Sequence, residues 1–201
     1  MAQQVDEEPV PVDLAPGEAA LDRPEAPARV VLLPGARYST QAPLLWFARE
    51  VALAHGCGVL ALEGAAPTTG DRFAWARERA ERALDFGADG RRRVVIGKSL
   101  ASAAAGVVGA RGVSAIWLTP LLHIEAVLEG LAQVGAPTML VGGTADESWK
   151  PAALPRSSAF DVVELGGADH SLQIPGDPGA SLDALAQVVA AIERFLETTL
   201  S

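Results

Sequence analysis

The sequence has one cysteine, a shortage of basic relative to acidic residues, and no long apolar run. Because Cys57 stands alone, no internal disulfide can form and a cysteine-rich structural metal site is excluded. The formal net charge of -9 argues against a nucleic-acid or anionic-membrane partner, since both attract basic surfaces. No apolar stretch approaches the roughly 18 residues that cross a bilayer, and the acidic start lacks the features of a signal peptide. We expect a cytoplasmic protein.

The chain of 201 residues is long enough for one domain with a substantial core. Its first 28 residues hold five prolines and seven carboxylates, which is unusual for a packed segment. Two short alternating stretches flank Pro16-Gly17, a pattern typical of a hairpin. We predict a disordered start over residues 1–8 and a single domain over 9–201 that opens with an edge hairpin.

Strand patterns and helix patterns alternate along the rest of the chain. The predicted strands are 28–35, 57–63, 92–97, 114–120, 137–143 and 159–167, and the predicted helices are 43–55, 72–87, 100–110 and 181–199. Short strands that are apolar on both faces and separated by helices predict an α/β fold: a doubly wound, mainly parallel sheet with helices on both faces. In such sheets ligands bind beyond the carboxyl ends of the strands.

The stretch "VVIGKSLAS" has two interpretations, because its "GKS" also ends a phosphate-binding P-loop. A P-loop needs a glycine five residues before Gly97, so that backbone N–H groups can wrap the phosphates. That position is Arg92, and the residues between are strand-like. Phosphate binding is therefore disfavoured, although nucleotide binding through "GKS" stays open as a minor alternative.

The other interpretation is a nucleophile elbow, in which a strand runs into a sharp turn and then a helix. The serine sits at the apex, and the residues two before and two after it must be small. Gly97 and Ala101 flank Ser99 at those positions. The match lies at the end of a predicted strand and opens a predicted helix, which favours Ser99 as a nucleophile.

A serine hydroxyl needs a base to act as a nucleophile, and the base needs an acid to orient it. In the elbow fold these follow in the order Ser, Asp or Glu, then His, each after a later strand. Asp146 follows the strand 137–143, and His170 follows the strand 159–167. We therefore predict a triad of Ser99, Asp146 and His170.

Four other residues compete for roles in this site. Glu147 is an alternative for the acid, and Asp146 has the alternative role of a turn or helix-capping residue. Asp169 lies too close to His170 in sequence to orient its ring and is predicted to shape the loop. His55 is predicted to end a helix, where a cation suits the dipole. His123 is predicted to cap a helix, with pocket lining as the alternative.

The oxyanion formed on attack must meet preorganised N–H donors. One is the Leu100 backbone N–H, just beyond the elbow, and the other is expected in the loop after the first strand of the parallel sheet. In that loop Gly35 permits close approach and Ala36 supplies the N–H. The alternative is that Pro34-Gly35 only ends the strand.

Four segments, "VVLLPGARYS", "VVIGKSLAS", "PTMLVGGTADE" and "LGGADHSL", resemble the landmark segments of the α/β-hydrolase superfamily, in particular its small, capless, dienelactone-hydrolase-like bacterial members. The resemblance covers residue 28 to the end. It implies Ser99 as nucleophile, Asp146 as acid and His170 as base, with Ala36 and Leu100 as oxyanion donors. We expect no metal site and no cofactor.

Two positions depart from that family. Pro34 stands where many relatives carry histidine, and Ala101 replaces the second glycine of the elbow; neither change removes a catalytic group. Pro34 puts the shape of the oxyanion loop in question.

Residues 121–138 leave room for a single helix where many relatives insert a lid. We therefore expect an open, shallow pocket that takes small acyl esters or thioesters. Its predicted lining residues are Arg37, Tyr38, Lys98, Leu121 and Trp149. The alternative function is a catalytically idle binding or interaction protein of the same fold, and the oligomeric state is left open.

Overall fold

The computed structural model describes residues 10–13, 18–86 and 90–200. The strands in these ranges are β1 (Val10–Asp13), β2 (Glu18–Asp22), β3 (Ala28–Leu33), β4 (Gly58–Leu62), β5 (Arg92–Lys98), β6 (Ser114–Leu118), β7 (Thr138–Gly143) and β8 (Phe160–Leu165). Together they form a sheet in the order β1-β2-β4-β3-β5-β6-β7-β8. From β4 to β8 all neighbours are parallel, whereas β1 and β2 run antiparallel to their neighbours.

Helices connect the parallel strands. They are α1 (Pro43–Ala54), α2 (Arg72–Asp85), α3 (Ala105–Ala110), α4 (Glu125–Ala132) and α5 (Pro178–Leu200), with 3₁₀ helices at Ser99–Ala104 and Pro151–Ala153. None of the helices in the described ranges is long and apolar enough to cross a membrane.

The core lies on both faces of the sheet. On one face α1 and α5 pack over β3 side chains such as Val30 and Leu32. On the other face α2, α3 and α4 pack over side chains such as Val31 and Leu33. This confirms the predicted α/β fold with a doubly wound, mainly parallel sheet, because alternate residues of one buried strand face opposite layers of helix.

The order of the strands predicts a crevice at the carboxyl ends of β3 and β5. The chain passes from β3 to β4 on one side and then crosses to β5 on the other side of β3. The loops that leave the carboxyl ends of β3 and β5 therefore diverge, and ligands bind at such a switch point in open α/β sheets.

The predicted edge hairpin is confirmed, since β1 pairs antiparallel with β2 at one edge of the sheet. The turn predicted at Pro16-Gly17, the disordered start predicted for residues 1–8 and the helix stop predicted at Gly87 lie outside the described residues. The single domain over 9–201 stays a prediction.

Two helices start differently from their predictions. The helix predicted over 100–110 begins as a 3₁₀ helix, where the Ser102 hydroxyl donates to the Ser99 carbonyl at 2.7 Å and competes with regular α-helical bonding. The last helix begins at Pro178, three residues before the predicted start. Proline suits the first helical turn, and the Asp177 carboxylate accepts from the Ala180 N–H at 2.9 Å.

Candidate active site

Ser99 lies where β5 ends and the 3₁₀ helix begins. Its φ of 52° is in the left-handed region, which residues with a Cβ avoid because of steric crowding. The surrounding sheet and helix hold this strained turn in place, and such strain clusters at functional sites. The turn is the sharp reversal predicted from the "GKSLA" pattern.

Gly97 explains why the elbow needs small flanking residues. A Cβ at this position would lie 2.6 Å from Cζ3 of the buried Trp117 ring and 3.0 Å from the Cβ of Ala101. Neither neighbour can move easily, because the Trp117 ring fills the core beneath the turn.

We expect Gly97→Ala to destabilise the protein by about 1–3 kcal/mol through overpacking against Trp117. Urea unfolding measures this change as a lower midpoint. Gly135→Ala is the matched control, because an added Cβ there meets nothing within 4 Å. Equal stability of the two variants would contradict the tight packing of the elbow.

The acid candidate lies on a turn just beyond β7. Asp146 is buried, and its N–H donates to the Gly143 carbonyl at 3.0 Å. Its Oδ1 accepts from the Ser148 N–H at 2.8 Å, which fixes the carboxylate plane. Oδ2 lies 2.7 Å from Nδ1 of His170.

The base candidate completes a chain of hydrogen bonds. Nε2 of His170 lies 2.8 Å from Oγ of Ser99, on the side of the ring opposite Asp146. The arrangement fits an imidazole that donates its Nδ1–H to the carboxylate and accepts the hydroxyl proton at Nε2. The structure thus brings together the three residues predicted as a triad, from the ends of three different strands.

The loop that carries His170 is shaped by Asp169. The Asp169 carboxylate accepts from the Ser171 and Gln173 N–H groups at 2.7 and 3.1 Å. Its own N–H donates to the Gln173 carbonyl at 2.9 Å. Asp169 thus closes the loop around the base, in the role predicted for it.

The acid turn and the base loop are joined directly. The Ala145 N–H donates to the Ala168 carbonyl at 3.0 Å, and the Gly167 N–H donates to Oγ1 of Thr144 at 2.7 Å. A Cβ on Gly143 would lie 2.1 Å from that Ala168 carbonyl oxygen, so only glycine permits this approach. The separation of Asp146 and His170 is therefore set by backbone contacts.

The loop after β3 folds back against the elbow. The Gly35 N–H donates to the Tyr38 carbonyl at 3.0 Å, which closes a tight turn around Ala36. A Cβ built on Gly35 would lie 3.7 Å from the Cβ of Ser99. Among the loop and turn bonds of the described residues, the Ala36 N–H has no backbone acceptor, so it is available to a ligand.

Leu100 supplies the second candidate donor. In a 3₁₀ helix each N–H bonds the carbonyl three residues earlier, so the first N–H groups have no partner within the helix. Leu100 is the second residue of the helix Ser99–Ala104, and its N–H lies next to the nucleophile in sequence. Leu100 thus follows Ser99 directly, and the turn that carries Ala36 packs against Ser99 through Gly35.

Lys98 does not line a pocket, contrary to the prediction. Its side chain is only 2% exposed, and Nζ donates to the His170 carbonyl at 2.9 Å and to Oγ1 of Thr119 at 3.1 Å. Nζ also lies 4.7 Å from the centroid of the Tyr38 ring. Because the amine is held inside the protein, it cannot cradle a phosphate, which argues against the nucleotide alternative.

Trp149 is also buried rather than lining a pocket. Its indole N–H donates to Oε2 of Glu164 at 2.7 Å, and its ring occupies the space where a side chain at position 142 would lie. Leu121 is half-buried, and its N–H donates to Oγ of Ser102 at 3.1 Å. That bond places it beside the elbow helix.

Arg37 and Tyr38 border a depression in the loop after β3, although Ser99 and His170 are not among its lining residues. It measures about 400 Å³, and its lining is Gly35, Ala36, Arg37, Tyr38, Ser39, Gly64 and Ala65. A depression of about 500 Å³ lies instead at the amino ends of β5 and β6, away from Ser99. Because the turn around Ala36 lines the smaller depression and Gly35 packs against Ser99, we take that depression as the candidate substrate site.

The remaining candidates fall outside the hydrogen-bonded triad. Glu147 is exposed and makes no contact with His170, unlike its neighbour Asp146. His55 ends α1, as predicted. His123 is exposed but caps no helix, since α4 is capped at Ile124 without a side-chain bond. That capping prediction is wrong.

Sequence reasoning missed two hydroxyl residues that support the site. Oγ1 of Thr119 accepts from the Lys98 ammonium, and Oγ of Ser102 links the Ser99 carbonyl to the Leu121 N–H. The signal for Thr119 was its place directly after β6, where its φ of 47° also marks an unusual turn.

Solved structures similar to this chain include two α/β serine hydrolases and a dienelactone hydrolase. Dienelactone hydrolase from Anabaena variabilis superposes with a TM-score of 0.73 at 18% identity, covering 96% of this chain and 97% of its own. An α/β serine hydrolase without a lid from Xanthomonas campestris superposes with a TM-score of 0.71 at 14% identity. The match covers 95% of this chain and 94% of that one. An α/β serine hydrolase homologue from Coxiella burnetii superposes with a TM-score of 0.72 at 16% identity. The match covers 94% of this chain and 97% of that one.

No protein-family model matches the chain, and no curated protein sequence matches it either. The structural likeness nevertheless extends over nearly the whole chain. The protein has the α/β-hydrolase fold, as the four sequence segments predicted.

Proposed function

We propose that the protein is a serine hydrolase that cleaves small acyl esters or thioesters through an acyl-Ser99 intermediate. The observation that carries the proposal is the continuous chain of hydrogen bonds from the Ser99 hydroxyl through the His170 ring to the Asp146 carboxylate, at 2.8 and 2.7 Å. Both distances are within the range for proton transfer between positioned groups.

In the first half-reaction Ser99 Oγ attacks the carbonyl carbon while His170 Nε2 takes the hydroxyl proton. The buried Asp146 carboxylate stabilises the imidazolium that forms. The carbonyl oxygen becomes an oxyanion that accepts from the Leu100 and Ala36 N–H groups. When the carbonyl re-forms, the bond to the alcohol or thiol breaks and His170 protonates the leaving group.

In the second half-reaction water attacks the acyl-Ser99 carbonyl and His170 takes its proton. The second tetrahedral species collapses, the bond from the acyl carbon to Ser99 Oγ breaks, and His170 returns the proton to Oγ. The carboxylic acid leaves. No metal or cofactor is required, because the hydroxyl, the imidazole and water supply every bond and proton.

The open site supports a preference for small acyl groups. Between β6 and β7 the chain carries only the short helix α4, which packs on the sheet, so no tunnel is built over Ser99. The depression beside the turn around Ala36 is lined in part by the exposed Arg37. A long acyl chain would extend into water and gain little from burial.

A panel of esters tests the function and the size preference together. We expect turnover of p-nitrophenyl acetate and butyrate, with no gain in kcat/KM for the decanoate. An enclosing tunnel would instead add up to about 0.8 kcal/mol of binding for each buried methylene. Acetyl and butyryl thioesters added to the panel test whether the site also accepts a thiol leaving group.

The two possible failures are distinct. A steady rise of kcat/KM with chain length would contradict the small-acyl preference while leaving the hydrolase function in place. No turnover of any ester or thioester by the folded protein would contradict the function itself.

A further inference from the structure

A buried ammonium lies directly before the candidate nucleophile. Lys98 is the last residue of β5, and its side chain is 2% exposed. Burying a charged amine costs free energy unless polar groups compensate for the lost water.

The Lys98 ammonium contacts three separate segments of the chain. Its hydrogen bonds go to the His170 carbonyl in the loop after β8, at 2.9 Å, and to Oγ1 of Thr119 after β6, at 3.1 Å. Its third contact is the face of the Tyr38 ring in the loop after β3, 4.7 Å from Nζ to the centroid. The Lys98 cation therefore connects the loop that carries His170 with the turn around Ala36.

Each of the three contacts is made to a segment whose backbone positions a catalytic group. The His170 carbonyl belongs to the base residue, and within the part of the chain that the structure describes no other donor bonds it. The Tyr38 carbonyl accepts the Gly35 N–H that closes the turn around Ala36. The Thr119 N–H donates at 2.7 Å to the Val141 carbonyl of β7, the strand that leads to Asp146.

We infer that Lys98 is a positioning residue, whose buried ammonium holds the His170 loop and the oxyanion turn in register with Ser99. The inference rests on the proposed serine-hydrolase function. Lys98 touches neither the substrate nor the reacting atoms, so it acts through His170 and Tyr38. The structure thereby gives the "GKS" lysine a role inside the elbow.

The charged groups around Lys98 define its behaviour with pH. Burial lowers its pKa from 10.5 to about 8, and the carboxylates of Asp146 and Asp169 oppose that shift. His170 and Tyr38, in the loops that Lys98 contacts, are titratable as well, and the same loops carry the exposed Arg37, His123 and Asp177. The ammonium is therefore charged at neutral pH and loses its proton in the mildly alkaline range.

Loss of that proton should have opposite effects on activity and on stability. A neutral amine is a weaker donor to the His170 carbonyl and has no cation–π attraction to Tyr38, so kcat falls as pH rises through about 8. The unfolded lysine keeps its proton up to about pH 10.5, whereas the folded one loses it near 8, so the unfavourable contribution of this buried charge to folding shrinks as pH rises between those values. Deprotonation of Lys98 therefore does not itself unfold the protein, and it lowers activity by another route.

The test compares Lys98→Met with Lys150→Met, which removes the exposed lysine of the chain. We expect Lys98→Met to lower kcat for p-nitrophenyl butyrate about tenfold to a hundredfold with little change in KM, since a misplaced catalytic group costs about this much. Its Tm should not fall, and its kcat should lack the alkaline limb near pH 8. Lys150→Met should match the wild type in all three measurements.

An active wild type whose Lys98→Met variant keeps the full kcat and the same pH profile would overturn the inference and leave the hydrolase proposal intact. A wild type without esterase activity would overturn the hydrolase proposal itself. If Lys98→Met fails to fold, the pH profile of the wild-type kcat decides: a limb near pH 8 in folded protein supports the inference, and a flat profile to pH 10 overturns it.

Discussion

Replacing Ser99 with alanine is expected to lower kcat for ester hydrolysis by a factor of about 10⁴–10⁶. The variant keeps the oxyanion donors and the substrate site, but the acyl group has no oxygen to bond to. Water attacking directly would then account for the residual rate. Steady-state turnover of p-nitrophenyl acetate, corrected for spontaneous hydrolysis, measures the loss.

Two matched variants separate chemistry from folding. Ser158→Ala removes an exposed hydroxyl and should retain wild-type activity. Ser99→Gly should be as inactive as Ser99→Ala but more stable by about 1 kcal/mol, because glycine adopts a φ of 52° without strain. An alanine variant that keeps activity within tenfold of the wild type would exclude Ser99 as the nucleophile.

Replacing Asp146 with asparagine is expected to lower kcat about 10⁴-fold. The amide fits the same space, but it carries no charge to stabilise the imidazolium and can reverse the tautomer of His170. Because Asp146 is buried and accepts from both His170 and the Ser148 N–H, no water molecule can take its place readily. The kcat of the variant across the neutral pH range measures the effect.

Glu147→Gln is the control for the acid, since Glu147 is the adjacent, exposed carboxylate. It should leave kcat within about twofold of the wild type, as surface substitutions away from a site do. The reverse result, an active Asp146→Asn and an inactive Glu147→Gln, would assign the acid to position 147.

Much of the fold follows from periodicity in the sequence. Short runs that are apolar on both faces and rich in β-branched residues, such as 28–35 and 114–120, indicate buried parallel strands when helices separate them. The edge strand β8 was also recognised, although its residues Asp161 and Val162 are exposed. Helix starts were harder to predict: Pro178 reads as a helix breaker until Asp177 is recognised as the cap.

The approach of Ser99, Asp146 and His170 was predictable because each follows a strand and parallel strands end at one edge of the sheet. The placement of Lys98 and Trp149 was not. A lysine in a loop motif suggests exposure, and only the packing shows that its amine turns inward to the His170 carbonyl. The indole of Trp149 is buried because Gly142 leaves room for its ring, a contact between residues that the local pattern does not connect.

The most direct test of the central claim is to locate the covalent adduct. The protein is treated with a fluorophosphonate and digested, and the labelled peptide is identified by mass spectrometry. The Ser99→Ala variant and heat-unfolded wild type are treated in the same way as controls. We predict one stoichiometric adduct on the peptide that contains Ser99 in the folded wild type, and none in either control. An adduct on another residue, or no adduct on the folded wild type, would contradict the account.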